Sequence, residues 1–262
     1  MMFLREIKAL IESKDLLYIL VFKEFSIRYK QTVLGILWAI IQPLSLMFIF
    51  SFIFTVILPV NIGKIPRPVF YYSALLPWTF FASCLHYAIP SLVNHYNLIK
   101  KINFQKIFLP LSGIVVAFVD LLIATVIFLV MLMIYKIPFT LVMFWVIPLM
   151  FLLVLFTVAV SLILSALNVY YRDVNLAISF VIQLWFFMTP VFYSVDRVPE
   201  RLKLFLFLNP LTFIVENTRR CLIEARPVVF WQYIIMLIFI LSLFVFAYNF
   251  FKRTERKFAD VI

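Results

Sequence analysis

The sequence predicts an all-α integral membrane protein with six transmembrane helices, an N-terminal amphipathic interface helix and an external re-entrant helical hairpin. Three observations predict it. Of the 262 residues, 66% are hydrophobic and 13% charged, against about half and about a quarter in a soluble globular domain. The charges gather between apolar runs, most of them long enough to span the roughly 30 Å of a bilayer core. Those runs lack the alternation of a membrane barrel, so only helices satisfy their backbones internally.

At the N-terminus Phe3, Leu4, Ile7, Leu10 and Ile11 recur at helical spacing, with Arg5, Glu6, Lys8 and Glu12 on the other face. This pattern describes a helix lying along the membrane interface. It contains no apolar core of a cleavable signal peptide, so the N-terminus is expected to belong to the mature protein. The next apolar run, 16–22, stops at Lys23 and Glu24. It is too short to cross and extends the cytoplasmic interface segment, taken as 1–32.

Residues 33–60, 68–99, 137–171, 174–195 and 227–251 carry no Lys, Arg, Asp or Glu, and 107–135 is broken only by Asp120. Crossings are therefore placed at about 34–58, 70–97, 111–135, 141–168, 175–194 and 229–251, in a transmembrane domain of 33–254. Residues 255–262 form a tail. Six crossings put both termini on one side. Arg5, Lys8, Lys14, Lys23, Arg28, Lys30, Lys100, Lys101, Lys106, Arg172, Lys252, Arg253, Arg256 and Lys257 share that side, 14 of the 23 Lys and Arg. The positive-inside rule makes it cytoplasmic.

The loop 194–226, on the outer side, holds two short apolar stretches, 202–208 and 211–215, around Asn209 and Pro210. An Asn-Pro step between helical patterns marks a turn. Two readings stand: a re-entrant hairpin dipping into the outer leaflet, and an amphipathic helix pair lying flat outside it.

Several function classes are excluded or weakened. A P-loop needs glycine-rich backbone to cradle phosphate, and Gly35, Gly63 and Gly113 are the only glycines. No metal site is expected, because His86 and His95 do not share a helical turn and are read as interior hydrogen-bonded residues. Cys84 and Cys221 lack metal or redox spacing and are read as packing residues. The net charge of +11 lies in short groups between apolar runs, which fits membrane topology rather than nucleic acid. Asp120 must face a helix partner or an aqueous path, since a carboxylate does not persist against lipid. Its reading as a hydrogen-bonded packing residue stands level with a functional one.

With no nucleotide site and no intramembrane relay, a transporter reading requires a separate ATPase. Lys100, Lys101, Ile102, Asn103, Phe104, Gln105, Lys106, Ile107 and Phe108 read as a short cytoplasmic helix with an apolar and a basic edge. Such a helix fits a groove on a partner; a solvated interfacial turn is the plainer reading. The 32 phenylalanines serve mainly packing and lipid contact, and aromatic faces also stack on sugar rings.

The stretch Arg28, Tyr29, Lys30, Gln31, Thr32, Val33, Leu34, Gly35, Ile36, Leu37 and Trp38, followed by Gln42 and Pro43, resembles the signature of ABC-2 type polysaccharide export permeases. Residues Asn168 to Val174 are similar to a family motif after the fourth crossing. Asn209, Pro210, Leu211 and Thr212, with Glu216 and Arg219, are similar to its external gate region. The resemblance covers nearly the whole chain.

It implies a homodimer of six-helix subunits in the cell inner membrane, paired with two copies of an ABC ATPase that binds ATP and Mg, while this chain binds no cofactor. The cargo it implies is a lipid-linked polysaccharide, O-antigen first, with capsule or teichoic acid as alternatives. On this model Lys100, Lys101, Asn103, Phe104, Gln105 and Lys106 couple to the ATPase, and Asn209, Pro210, Glu216 and Arg219 belong to the external gate. Arg28, Tyr29 and Lys30 meet the lipid diphosphate, unless the two cations only snorkel to membrane phosphates. Trp38 and Gln42 on one helical face, and Phe180, Gln183 and Phe187 on another, are channel-wall candidates. The rival class is an integral membrane glycosyl or acyl transferase. It needs a cluster of acids or histidines, for which Arg172 with Asp173 and Glu216 with Arg219 come nearest; no catalytic residue is assigned.

Overall fold

The computed structural model describes residues 14–30, 32–57 and 65–258. The amphipathic pattern of residues 3–12 and Gln31 of the signature lie outside them. Helices, short 3-10 and π turns and connecting loops make up the described residues, and no strand occurs among them.

Helix α1, Lys14–Tyr29, is followed by a 3-10 turn, Gly35–Leu37, and α2, Trp38–Phe52, which a π turn, Ile53–Ile57, prolongs. Gly35 takes φ +51° at the corner between α1 and α2, a conformation a Cβ would strain. Next come α3, Arg67–Asn94; α4, Tyr96–Lys101; α5, Phe108–Ile134; and α6, Val146–Tyr170 behind a 3-10 turn, Leu141–Trp145. Helix α7, Asp173–Met188, leads to the paired helices α8, Glu200–Phe207, and α9, Pro210–Arg219, the latter running into a π turn, Arg220–Glu224. Helix α10, Phe230–Glu255, closes the chain.

Among the described residues four segments are long and apolar enough to cross a membrane: Gly35–Ile57, Phe108–Ile134, Leu141–Tyr170 and Phe230–Glu255. Helix α3 spans 28 residues, about 42 Å at 1.5 Å per residue, but is less apolar than those four. It is the axis of the bundle, packed against α5, α6, α2 and α7, with both faces buried along most of its length. A helix sheathed by others need not be apolar all round. Gly113 permits a close contact between α3 and α5, because a Cβ there would lie 2.8 Å from the Cβ of Tyr87.

Two expected boundaries are corrected. The fifth crossing was placed to 194, but α7 ends at Met188 after 16 residues. Pro190 disfavours helical backbone at the residue before it, and Thr189 is extended at φ −103°, ψ 137°. The segment after residue 14 does not lie apart on a surface. Helix α1 runs through Lys23 and Glu24 to Tyr29 and packs along α5.

The core has two parts. The larger gathers around α3, with Tyr71, Phe81, Leu85, Phe128, Leu153 and Ile214. The smaller joins Leu20, Leu92, Ile107, Phe108, Phe251 and Phe258 at one end of the bundle. Helices α2 and α7 stay peripheral, burying only Ala39, Pro43 and Met47 of the one and Ile178 and Ile182 of the other.

Candidate functional site

The segment 100–108 is not the continuous helix expected. Lys100 and Lys101 close α4, where cations favour a helix C-terminus, and Ile102 is extended at φ −129°, ψ 135°. Asn103, Phe104 and Gln105 have no regular structure, and helix resumes at Phe108. A partner outside the segment replaces the missing helical hydrogen bonds. The Lys106 amide donates to Glu255 Oε1 at 2.7 Å, and Lys106 Nζ donates to the Glu255 carbonyl at 3.0 Å. Lys100, Lys101, Ile102 and Asn103 are exposed, while Phe104, Gln105 and Lys106 are half-buried. The segment thus presents a basic outer edge and an apolar inner one.

The end of α6 meets the same place. Tyr170 Oη donates to the Thr254 carbonyl at 3.5 Å, and its ring lies edge-on to Phe258 at 6.3 Å. Asn168, in the second motif, donates to the Ile89 carbonyl at 3.1 Å and accepts from the Asn175 amide at 3.1 Å. One side chain therefore ties α6 to α3 and caps the start of α7, where Arg172 offers no side-chain cap. Arg172 and Asp173 are both exposed.

Arg28 and Tyr29 have a partner that their place in the sequence does not suggest. The Tyr29 phenol donates to Asp120 Oδ1, and the Arg28 guanidinium pairs with Asp120 Oδ2. Arg28 also stacks on Tyr87, 4.5 Å from the ring centre. Desolvation first, and the Asp120 carboxylate second, push the Tyr29 phenol well above its ordinary value, so it remains a donor. Asp120 faces a helix partner, not lipid. Lys30 remains exposed. Beside Arg28 a cavity of about 240 Å³ is lined by Glu24, His86, Ser91 and Asn94. His95 is buried, its Nδ1 2.9 Å from the Ser91 carbonyl and its Nε2 3.5 Å from Glu24. His86 is exposed, contrary to the interior place expected for it.

The hairpin residues form a second constellation. Asn209 caps α9 by accepting from the Leu211 amide at 3.1 Å, with Pro210 in the first turn, where its missing N–H is harmless. The same oxygen accepts from Trp185 Nε1 at 3.1 Å, and Asn209 Nδ2 donates to Thr189 Oγ1 at 3.0 Å. Arg219 is 1% exposed. It donates to the carbonyls of Pro190, Val191 and Tyr193 at 2.8, 3.0 and 3.2 Å, and to Glu216 Oε2 at 3.0 Å. The Phe70 ring lies 4.0 Å from the guanidinium carbon. Glu216 also accepts from Arg220 at 3.2 Å. Glu216 and Arg219 are therefore interior anchors that hold the turn after α7, and α9 is buried against α3 and α6. Cys84 and Cys221 are buried free thiols.

Trp38 and Gln42 are exposed together on α2, as are Phe180, Gln183 and Phe187 on α7. The link between these two helices is a cluster of rings that includes Phe187 but none of the other four. Phe50 stacks on Phe186 at 5.8 Å and on Phe192 at 6.1 Å, while Phe54 stacks on Phe192 at 6.0 Å and on Tyr71 at 5.8 Å. Phe187 joins its edge through Phe192 at 5.7 Å. Sequence reasoning missed Glu255, Trp185, Thr189 and Phe192. Only Glu255 carried a signal, as an acid within the basic end of α10.

A family model described as "ABC-2 type transporter" matches residues 15–223. Two curated relatives from Klebsiella pneumoniae, each named "O-antigen export system permease protein RfbA", are both 31% identical to this chain, over 250 and 252 residues. Each alignment covers 95% of this chain and 95% of the relative. A relative of the same name from Myxococcus xanthus is 31% identical over 227 residues, 85% of this chain and 86% of its own length.

Proposed function

This chain belongs to the ABC-2 type transporter family, and on that premise we propose that it is the membrane permease subunit of an ATP-driven exporter of O-antigen. It is not an enzyme; hydrolysis falls to a separate ABC ATPase. The near full-length likeness to three O-antigen export permeases carries this reading and favours O-antigen over capsule or teichoic acid.

The working unit is a homodimer with two ATPase copies, in the inner membrane, with both termini cytoplasmic and no nucleic-acid partner. Six crossings are reached by counting α3, shielded by its neighbours, and α7, which the turn at 189–194 extends. The end of the bundle carrying Lys100, Lys101, Arg172, Lys252, Arg253, Arg256 and Lys257 is the cytoplasmic end. There the ATPase contacts 100–106. Helices α2 and α7 leave large apolar side chains uncovered, among them Phe48, Leu176 and Phe180, which suits a face completed by a second copy or by lipid. Trp38, Gln42, Phe180, Gln183 and Phe187 line the glycan path on that face, and the α8–α9 pair forms the external, re-entrant gate.

Arg28, Tyr29 and Lys30 meet the lipid-linked diphosphate on this reading; Asp120 holds the first two in place, and Lys30 is exposed beside them. The test is translocation of lipid-linked O-antigen into vesicles containing this chain with and without its ATPase. Transport that requires both chains and ATP supports the proposal; chemical alteration of the glycan lipid by this chain alone refutes it.

A further inference from the structure

The end of α10 does more than terminate a crossing. Glu255 has all three of its oxygens engaged: Oε1 by the Lys106 amide at 2.7 Å, the main-chain carbonyl by Lys106 Nζ at 3.0 Å, and Oε2 by Lys252 Nζ at 3.2 Å. Its side chain is mostly buried, 15% exposed. The adjacent C-terminal turn carries Phe258, fully buried, 5.5 Å from Phe251 and 6.3 Å from Tyr170. Three separate stretches, the 102–106 segment, the end of α6 and the end of α10, thus meet at one point. Ile102 still donates to the Leu98 carbonyl at 3.1 Å, but residues 103–105 take no helical structure, so their position depends on what grips Lys106.

We propose that Glu255 is the positioning residue of the coupling apparatus, holding the 102–106 segment to α10 so that displacement of the segment moves α10 with it. This rests on the reading that a partner ATPase acts on residues 100–106. A loop attached only through its flanking helices, α4 and α5, would deliver motion to α3 and α5. The Glu255 contacts add α10, and α10 packs along α6, so a push at one loop reaches both sides of the bundle. The carboxylate fits this work because a charged acceptor strengthens the bond to a main-chain N–H and Lys252 fixes its second oxygen.

The experiment uses the full chain with its ATPase in vesicles and reads two rates together, ATP hydrolysis and delivery of lipid-linked O-antigen. Glu255→Ala is expected to lower transport per ATP hydrolysed by about tenfold, the scale of one lost hydrogen bond to a charged group, while the ATPase still copurifies. Glu255→Gln keeps an oxygen for the Lys106 amide and is expected to keep most of the coupling. A Glu255→Ala variant with an unchanged ratio, or one that loses the ATPase from the complex, overturns the proposal. Spin labels at Ile102→Cys and Arg253→Cys give a second reading that leaves Glu255 in place. Their separation should stay constant through the ATPase cycle, and a separation that changes overturns the proposal. If the unaltered chain neither binds nor depends on an ATPase, the exporter reading fails instead, and the two failures are distinct.

Discussion

Tyr29 donates its phenolic hydrogen to Asp120 across 91 positions of sequence, so the end of α1 is fastened to the middle of α5. Arg28 completes the arrangement from the adjacent position. The residue beneath the signature stretch is therefore an acid in the third long apolar run, and the two features explain each other. Asp120 is tolerated among apolar neighbours because a cation and a phenol meet it, and Arg28 is held away from solvent because the acid is there.

Breaking that group on one side should be more harmful than removing it. Asp120→Asn leaves the Arg28 guanidinium, 16% exposed, without its charge partner and should destabilise the chain by about 2–4 kcal/mol. The double replacement Arg28→Met with Asp120→Leu leaves only the buried Tyr29 phenol without its acceptor and should lie within about 1–2 kcal/mol of the parent. Thermal unfolding in detergent of Arg28→Met, Asp120→Leu and the double variant measures the coupling directly.

Gly113→Ala adds a methyl group where the Tyr87 Cβ is already 2.8 Å away. Helices α3 and α5 must separate locally, at a cost of about 1–3 kcal/mol. A lowered unfolding temperature checks this, and an unchanged one would mean that the helices yield freely.

Arg219→Ala strands three main-chain carbonyls and leaves the buried Glu216 carboxylate with Arg220 as its remaining partner, a loss of about 3–5 kcal/mol. Arg219→Lys should not rescue it, because a point ammonium cannot reproduce the forked geometry. Protease sensitivity of the 189–194 turn, followed alongside transport, should rise for both variants.

Asn209 separates two roles. Asn209→Asp keeps an oxygen for the Leu211 amide and for Trp185 and loses only the Nδ2 donation to Thr189, which should cost about 0.5–1 kcal/mol. Asn209→Ala loses the cap and leaves the Trp185 indole without its acceptor, which should take away about 1–2 kcal/mol. Equal stability of the two variants would contradict the capping role.

The fold class was readable because apolar run length is a property of the chain itself. Long helices at 108–134, 146–170 and 230–255 occupy three of the apolar runs. The 102–105 segment was misjudged because its apolar and basic residues have helical spacing, while its geometry is set by Glu255, which no local pattern announces. The same holds for Asp120: an acid inside an apolar run signals a partner, but which partner depends on helix packing. Glu216 and Arg219 were legible as a pair by their spacing of three. Their burial, and their hold on the turn after α7, were not, since that turn lies far away in sequence.

Helix α3 leaves a consequence for how the protein is made. It is synthesised before α5 and α6, which later enclose it, and its own apolarity falls below that of the four self-sufficient segments. A segment with Tyr71, Tyr72, Ser73, His95 and the four prolines Pro66, Pro68, Pro77 and Pro90 along or beside its length gains little from lipid alone. On the proposed six-crossing topology its stable insertion therefore depends on residues not yet translated when it first reaches the membrane. On that topology biogenesis of the bundle is a collective event, in which the central helix is accepted by the bilayer only as its more apolar neighbours arrive.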